Sequence, residues 1–455
     1  MQKLACIVLL FFPALVSSCG LLPAGNPKPL PAGLAPPTLV LPGWTPTLPE
    51  TQPTTVQAER PTLLASPTPQ AILRVTSAPT EETPPSQQVI TFSSFRMWST
   101  TEGWGLGVVG NEAMPGVFRT SDAGHTWREV SPSGADLGPD TRRLRLSSLD
   151  PDVAWLTLQS PGEDPAYVFS ASTVTVYSTT DGGKSWASSV PFRIQAGTPD
   201  TPVFVDPLHG WMLIVLVEFH GSMSVEIRRT NDGGKTWQLA TRTEPLMDDP
   251  LYPDTPGGLP LNCIKYGISF VDESAGWATG DCWIETLFLY VTSDGGSTWA
   301  PRRSLPVPEG LPANAFELYN SQTFPPVFLP GRDGYMKVFL ETDADTWMPI
   351  LYTTEDGGIH WVPHALPEGT RILRFNTPTQ GWAYDFDGDW LYSTENGGAE
   401  WAQVGPYPDQ AALGPGTFIF VDSSHGWICR GDRIDLTEDG GRTWRAFTPL
   451  LAPTD

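Results

Sequence analysis

One octapeptide recurs seven times in this chain, and a repeat of that number leaves few architectures open. The copies are TSDAGHTW (Thr120 to Trp127), TTDGGKSW (Thr179 to Trp186), TNDGGKTW (Thr230 to Trp237), TSDGGSTW (Thr292 to Trp299), TEDGGIHW (Thr354 to Trp361), TENGGAEW (Thr394 to Trp401) and TEDGGRTW (Thr437 to Trp444). Their tryptophans lie 59, 51, 62, 62, 40 and 43 residues apart, near the period of a four-stranded propeller blade with loops of variable length. A second element, an apolar strand, a polar turn and then Gly-Trp or a substitute, precedes each copy: Gly103-Trp104, Ala154-Trp155, Gly210-Trp211, Gly276-Trp277, Gly334-Tyr335, Gly381-Trp382 and Gly426-Trp427. Each unit reads as strand, Gly-Trp turn, strand, loop, strand, boxed turn, strand. The expected fold is therefore all-β, a seven-bladed β-propeller of four-stranded blades spanning residues 89–455. Residues 89–95 supply either the inner strand of the first blade or a partner for residues 444–450 in the last.

The octapeptide follows S/T-x-D-x-G-x-T-W and so resembles the Asp-box, or BNR, repeat of sialidases, sortilin-type receptor domains and the photosystem II assembly factor family. Its pairing with Gly-Trp elements is most like the last of these, over residues 89 to 450. That resemblance implies a chaperone-like role on membrane complexes. The box itself has a structural explanation. Asp122, Asp181, Asp232, Asp294, Asp356 and Asp439, with Asn396 in the sixth copy, can accept backbone N–H groups inside a tight turn, and the glycines that follow tolerate positive φ. The rings of Trp127, Trp186, Trp237, Trp299, Trp361, Trp401 and Trp444 then fold against their hairpins, burying roughly 150–250 Å² each. Boxes five and six depart from the pattern, with His360 and Glu400 in the Thr position.

Composition limits the partners. Asp and Glu number 50 against 27 Lys and Arg, a formal charge of −23 spread along the chain; nucleic acid is not an expected partner, and anionic lipid repels such a surface. Membrane attachment, if any, falls to the N-terminus. Lys3 and the apolar stretch Leu4 to Val16 read as a signal peptide, residues 1–18. Val16-Ser17-Ser18-Cys19 resembles the bacterial lipobox, so Cys19 is the expected lipidated residue and the location extracytoplasmic, on the bacterial cytoplasmic membrane. Sixteen prolines lie between Pro23 and Pro85, and residues 19–88 read as a disordered linker with a reach of roughly 45 Å by coil statistics. Cys263 and Cys282 flank a hairpin centred near Glu273, where a disulfide and two free thiols are both open; Cys429 is left as an odd buried thiol. No zinc-type spacing is present.

Gly-Trp turns and boxes fall on one face, which leaves the second-to-third loops and the blade connections as the binding face. The longest connections, residues 238–266 and 300–328, bracket the fourth blade and carry Tyr252, Arg302, Arg303 and Tyr319. Trp283 and Trp347 lie outside both repeat elements and are the candidate aromatic platforms for a polysaccharide. Asp385-Phe-Asp387-Gly-Asp389 faintly resembles a calcium loop but lacks the later bidentate Glu, and reads as a plain hairpin turn; Arg430-Gly-Asp432 reads the same way. A sialidase-like hydrolase would need an arginine cluster and a Tyr/Glu pair. Phe192-Arg193-Ile194 is followed by Gln195 and falls after the second box, and Arg119 is explained by its strand. No catalytic residue and no cofactor are assigned. The expected role is binding, to a protein partner or a surface polysaccharide, with a carbohydrate-active propeller as the alternative. A Cys19→Ala chain should leave the membrane fraction or persist as an uncleaved precursor; unchanged extraction by detergent would contradict the lipid assignment.

Overall fold

The computed structural model describes residues 88–110, 114–162, 170–243, 257–282, 286–343, 346–386, 388–406 and 418–453. The signal peptide, Cys19 and the linker lie outside them. The described residues form seven antiparallel sheets in chain order, the blades of a β-propeller. Blade 4 shows the plan: Cys263–Phe270, Gly276–Cys282, Leu289–Thr292 and Ala300–Pro301, each hydrogen-bonded to the next. In every blade the Gly-Trp element opens the second strand and the box joins the third strand to the fourth. Both turns thus sit at one end, as the repeat order implies. First strands of neighbouring blades abut, so they line the axis: Thr370–Phe375 meets Phe418–Phe420, which meets Ile90–Met97. The first strands of blades 3 and 5 are each broken in two, at Pro202 and at Pro325-Pro326, because proline has no N–H for the ladder.

Ring closure follows the first expected arrangement, and residues 89–95 do not pair into the last blade. Ile90–Met97 is the first strand of blade 1, and the C-terminal Leu450–Leu451 pairs in parallel with Thr126–Glu129 of that blade while Leu450 bridges to Val89. The seven hydrophobic clusters fall one to each blade interface, including blade 7 against blade 1, where Trp427, Cys429 and Ile434 pack on Ile90, Phe92 and Trp127. A ring with seven filled interfaces has no open edge.

Within the box, Thr230 donates its hydroxyl to Asp232 Oδ1 at 2.8 Å and accepts the Gly234 N–H at 2.9 Å. Asp232 then accepts the Thr236 N–H at 2.9 Å and its hydroxyl at 2.6 Å. Gly233 and Gly234 have φ of 76° and 88°, a left-handed pair that side chains disfavour. The departures in boxes five and six keep the same backbone bonds. His360 N–H donates to Asp356 at 2.9 Å, and Glu400 N–H to Asn396 at 2.9 Å.

The box also reaches its neighbour. The indole N–H groups of Trp155, Trp211 and Trp427 each donate at 2.9 Å to the first turn carbonyl of the following blade's box, on Gly233, Gly295 and Ala123; Trp382 does so to Gly440 at 3.3 Å. Three of these rings stack on a phenylalanine closing the next blade's first strand: Trp155 on Phe204 at 3.5 Å, Trp211 on Phe270 at 3.7 Å and Trp382 on Phe420 at 4.0 Å.

Bonding lowers the box carboxylates: Asp181, through Ser185, and Asp356, through His360, are pushed down to about 2. A carboxylate depressed in the folded state adds stability above its unfolded value near 4, and that stability is lost as pH falls through the folded value. Unfolding should therefore ease between about pH 4 and pH 2, in a denaturant titration at each pH. Asp232→Ala should cost about 0.5–2 kcal/mol, as for comparable turn and cap bonds, and leave ligand capture intact. Capture abolished at full stability would make the box a functional element.

Candidate functional site

The first strands carry residues that the repeats do not share. In three of them a β-bulge inserts one extra residue: Ser93 in blade 1, Tyr266 in blade 4 and Arg371 in blade 6 fall between paired neighbours without a partner of their own. Bulges re-aim a side chain and favour barrel rims and active sites. The axial strands of this acidic chain are accordingly not acidic throughout.

Positive charge gathers on blades 5, 6 and 1. Lys337 projects its ammonium over Phe324 at 4.6 Å and Phe339 at 4.9 Å, and donates to the Arg371 carbonyl. Burial, followed by the Arg374 and Arg371 guanidiniums, pushes it down to about 7. Burial and then Arg374 likewise push Arg96 down to about 10. The charged side chains acting on Lys337 are all cations. Lys337 and Arg374 are half-buried while Arg96 and Arg371 are exposed, and like charges brought together repel unless an anion compensates them.

Blades 4 and 5 carry the opposite character. Asp281, opposite Ile264 in blade 4, meets Tyr266 and Gln322 by hydrogen bonding; burial outweighs these bonds and raises its carboxyl, with Glu341 adding to the rise. Burial and then Asp281 hold the Tyr266 phenol far above its ordinary value. Glu341 accepts the Asn320 amide at 2.9 Å. Tyr266 and Phe324 stack at 5.2 Å and 26°.

The candidates read from sequence are distributed as follows. Each box Asp and Trp stays within its own turn or interface. Arg302 reaches the box end, donating to the carbonyls of Gly358 at 2.8 Å and Ile359 at 2.9 Å. Arg303 is exposed, Tyr319 is half-buried against the core between blades 4 and 5, and Trp347 is half-buried opposite Glu341. Tyr252, Trp283 and Asp387 lie outside the described residues. Asp385 accepts the Gly388 N–H at 3.0 Å and Asp389 the Tyr384 hydroxyl at 3.0 Å; among the described residues no group of three metal-ligating side chains converges. Cys263 and Cys282 stand opposite each other in register and are disulfide-bonded, while Cys429 is a buried thiol pushed up to about 12 by burial. The Gly431 carbonyl accepts the Phe92 N–H at 3.0 Å, which ties the Arg-Gly-Asp turn into ring closure. Sequence reading passed over Arg96, Tyr266, Asp281, Lys337, Arg371 and Arg374. The available signal was charged or phenolic residues within apolar first and second strands, as in Thr370-Arg-Ile-Leu-Arg-Phe375.

No family model and no curated protein matches the chain. Among solved structures it is similar to YCF48 bound to D1 peptide, 17% identical over 78% of this chain and 93% of that one, with a TM-score of 0.44. It is similar also to YCF48 from Cyanidioschyzon merolae, 16% identical over 79% and 98%, TM-score 0.42. A GH74 xyloglucanase from Xanthomonas campestris matches at 14% identity and a TM-score of 0.47, over 80% of this chain and 55% of the enzyme, so that this chain spans about half its length. At these values the likenesses say nothing about a ligand or a reaction.

Proposed function

We propose that this chain is a lipid-anchored, extracytoplasmic binding propeller that serves as a scaffold for a partner protein, gripping an anionic part of it, an acidic segment or a terminal carboxylate, at the axis. One observation carries the reading: Arg96, Lys337, Arg371 and Arg374 bring positive charge together at the first and second strands of blades 5, 6 and 1 in a chain of net charge −23. Arg96 and Arg371 are exposed and Lys337 and Arg374 half-buried, so the cluster is open to an anion from solvent and its partly buried members gain most from one. Cys19 would fix the protein to the membrane and residues 19–88 would act as the tether, in the manner of the photosystem II assembly factor type that the repeats resemble. The client of that family is not carried over. A carbohydrate-active propeller is the second reading, favoured by Tyr266 beside Asp281 and Gln322.

The test uses the full-length protein in detergent and a fluorescent acidic peptide with a free C-terminus, against an amidated copy and a lysine-rich one. The acidic peptide should bind and the lysine-rich one should not, and Arg374→Glu should weaken binding at least tenfold. Because the Lys337 ammonium is charged below about pH 7 and neutral above it, binding should strengthen from pH 8 to pH 6. Lys337→Arg, charged throughout, should flatten that step. Equal binding of the lysine-rich peptide, or indifference to Arg374→Glu, would contradict the reading.

A further inference from the structure

Three aromatic side chains on or next to the first two strands of blades 4 and 5 belong to none of the seven hydrophobic cores. Tyr266, Phe324 and Phe339 are half-buried, yet they are tied to one another. Tyr266 stacks on Phe324, and Phe324 meets Phe339 edge-on at 5.7 Å. Aromatic rings that pack as a group outside a core, at the axial end of a ring of sheets, form a platform rather than filler.

The platform is held in place by what surrounds it. Tyr266 is the extra residue of its bulge, between the pairs Lys265–Gly280 and Gly267–Thr279. Lys265, next to it and 3% exposed, is pinned on the blade 3 side, where its ammonium donates to the carbonyls of Met223 at 2.7 Å, Cys263 at 2.8 Å and Pro260. On the other flank Gly267 has φ of 154° and lies so close to blade 5 that a Cβ there would sit 2.9 Å from Pro325 Cγ. Any other residue would push the two blades apart. Blade 5 is stitched to blade 4 by the Thr323 hydroxyl, which accepts the Gly280 N–H at 3.0 Å and donates to the Gly280 carbonyl at 3.2 Å. Gln322 and Phe324, two apart in sequence, therefore stand beside Tyr266 with little freedom to move.

The polar groups at this platform match hydroxyls. Gln322 offers an amide that both donates and accepts, and the Tyr266 hydroxyl does the same. The Asp281 carboxyl, raised by burial, accepts from hydroxyls whether or not it is ionised. At the Tyr266 end a carboxylated or sulfated ligand would meet Glu341 and Glu218, the carboxylates felt by Asp281 and Tyr266, while the Lys337 ammonium is turned onto the Phe324 and Phe339 rings. A sugar ring has an apolar face for the aromatic platform and an edge of hydroxyls that donate and accept.

We infer that the inner wall between blades 4 and 5 is a binding subsite for an uncharged saccharide, with Tyr266 and Phe324 as its stacking platform and Gln322 and Asp281 as partners for the sugar hydroxyls. This subsite adjoins the cation cluster, since the Lys337 ammonium lies over Phe324 at 4.6 Å and Phe339 at 4.9 Å, but it deepens the carbohydrate reading and does not rest on capture of an anionic partner.

Calorimetric titration of the full-length protein with cellohexaose, xylohexaose and laminarihexaose tests it, with arginine amide as a cationic probe and the acidic peptide as a parallel arm. At least one neutral oligosaccharide should bind. Tyr266→Ala should weaken it at least tenfold, and Gln322→Leu by a smaller factor. Tyr266→Phe keeps the ring and loses the hydroxyl, so it should fall between wild type and Tyr266→Ala and serves where the alanine variant fails to fold. Acidic-peptide binding should be unchanged in all three. No binding of any of the three oligosaccharides, saccharide binding indifferent to Tyr266→Phe and Gln322→Leu, or binding of arginine amide in their place would overturn the inference. Loss of peptide binding alone would strike the scaffold reading and leave this one standing.

Discussion

The structure depends on a turn carbonyl. Each box forces two consecutive residues into left-handed backbone, and in four of the seven blade interfaces the first of them, Ala123, Gly233, Gly295 or Gly440, turns its C=O toward the preceding blade, where a Gly-Trp indole donates to it. The hydrogen bond itself contributes about 1 kcal/mol. The ring it positions contributes more: burying 150–250 Å² of tryptophan is worth about 4–6 kcal/mol before entropy is subtracted. The bond therefore sets orientation and the packing supplies most of the stabilisation. Repeating the two elements in sequence at a fixed place in each blade is what makes seven small sheets one ring.

The clasp is not uniform: Trp104 in blade 1 donates instead to the Asp150 carbonyl of blade 2 at 3.2 Å, and the other two exceptions border the candidate site. The indole N–H of Trp277 in blade 4 lies buried without an acceptor, and Tyr335 takes the tryptophan's place in blade 5. Both interfaces rest on ring packing, Trp277 against Phe328 and Tyr335 against Phe375, each at 4.9 Å. Blade 5 sits between them. It carries Lys337, Gln322 and Phe324, and its first strand is the one interrupted by two prolines. The disulfide between Cys263 and Cys282 anchors the adjoining end of blade 4, where two strands of the same sheet are cross-linked directly opposite each other.

Repetition explains what was legible in the sequence. Asp232 and Trp237 could be placed in a turn because six other copies of the turn surround the same residues, and Gly210-Trp211 could be placed at a strand start for the same reason. Tyr266, Lys337 and Arg371 are not repeated in kind in the other blades, so only a charged or phenolic residue within an apolar strand marked them. A bulge is one extra residue in a strand, and Lys265-Tyr-Gly267 looks like any alternating segment until its partner strand is known. Arg302 illustrates the converse: its position in a long connection suggested the loop face, but the guanidinium is long enough to reach the carbonyls of Gly358 and Ile359 at the box end. Side chains of that length are poorly placed by their position in the chain alone.

The central claim is a division of labour, with boxes that build the ring and first strands that bind. Hydrogen–deuterium exchange of the full-length protein, compared with and without saturating ligand, tests it most directly. The account requires added protection in the first strands of blades 4 to 6, residues 263–270, 321–324 and 370–375, with the box turns unchanged. Protection confined to the box turns and the Gly-Trp turns would contradict it.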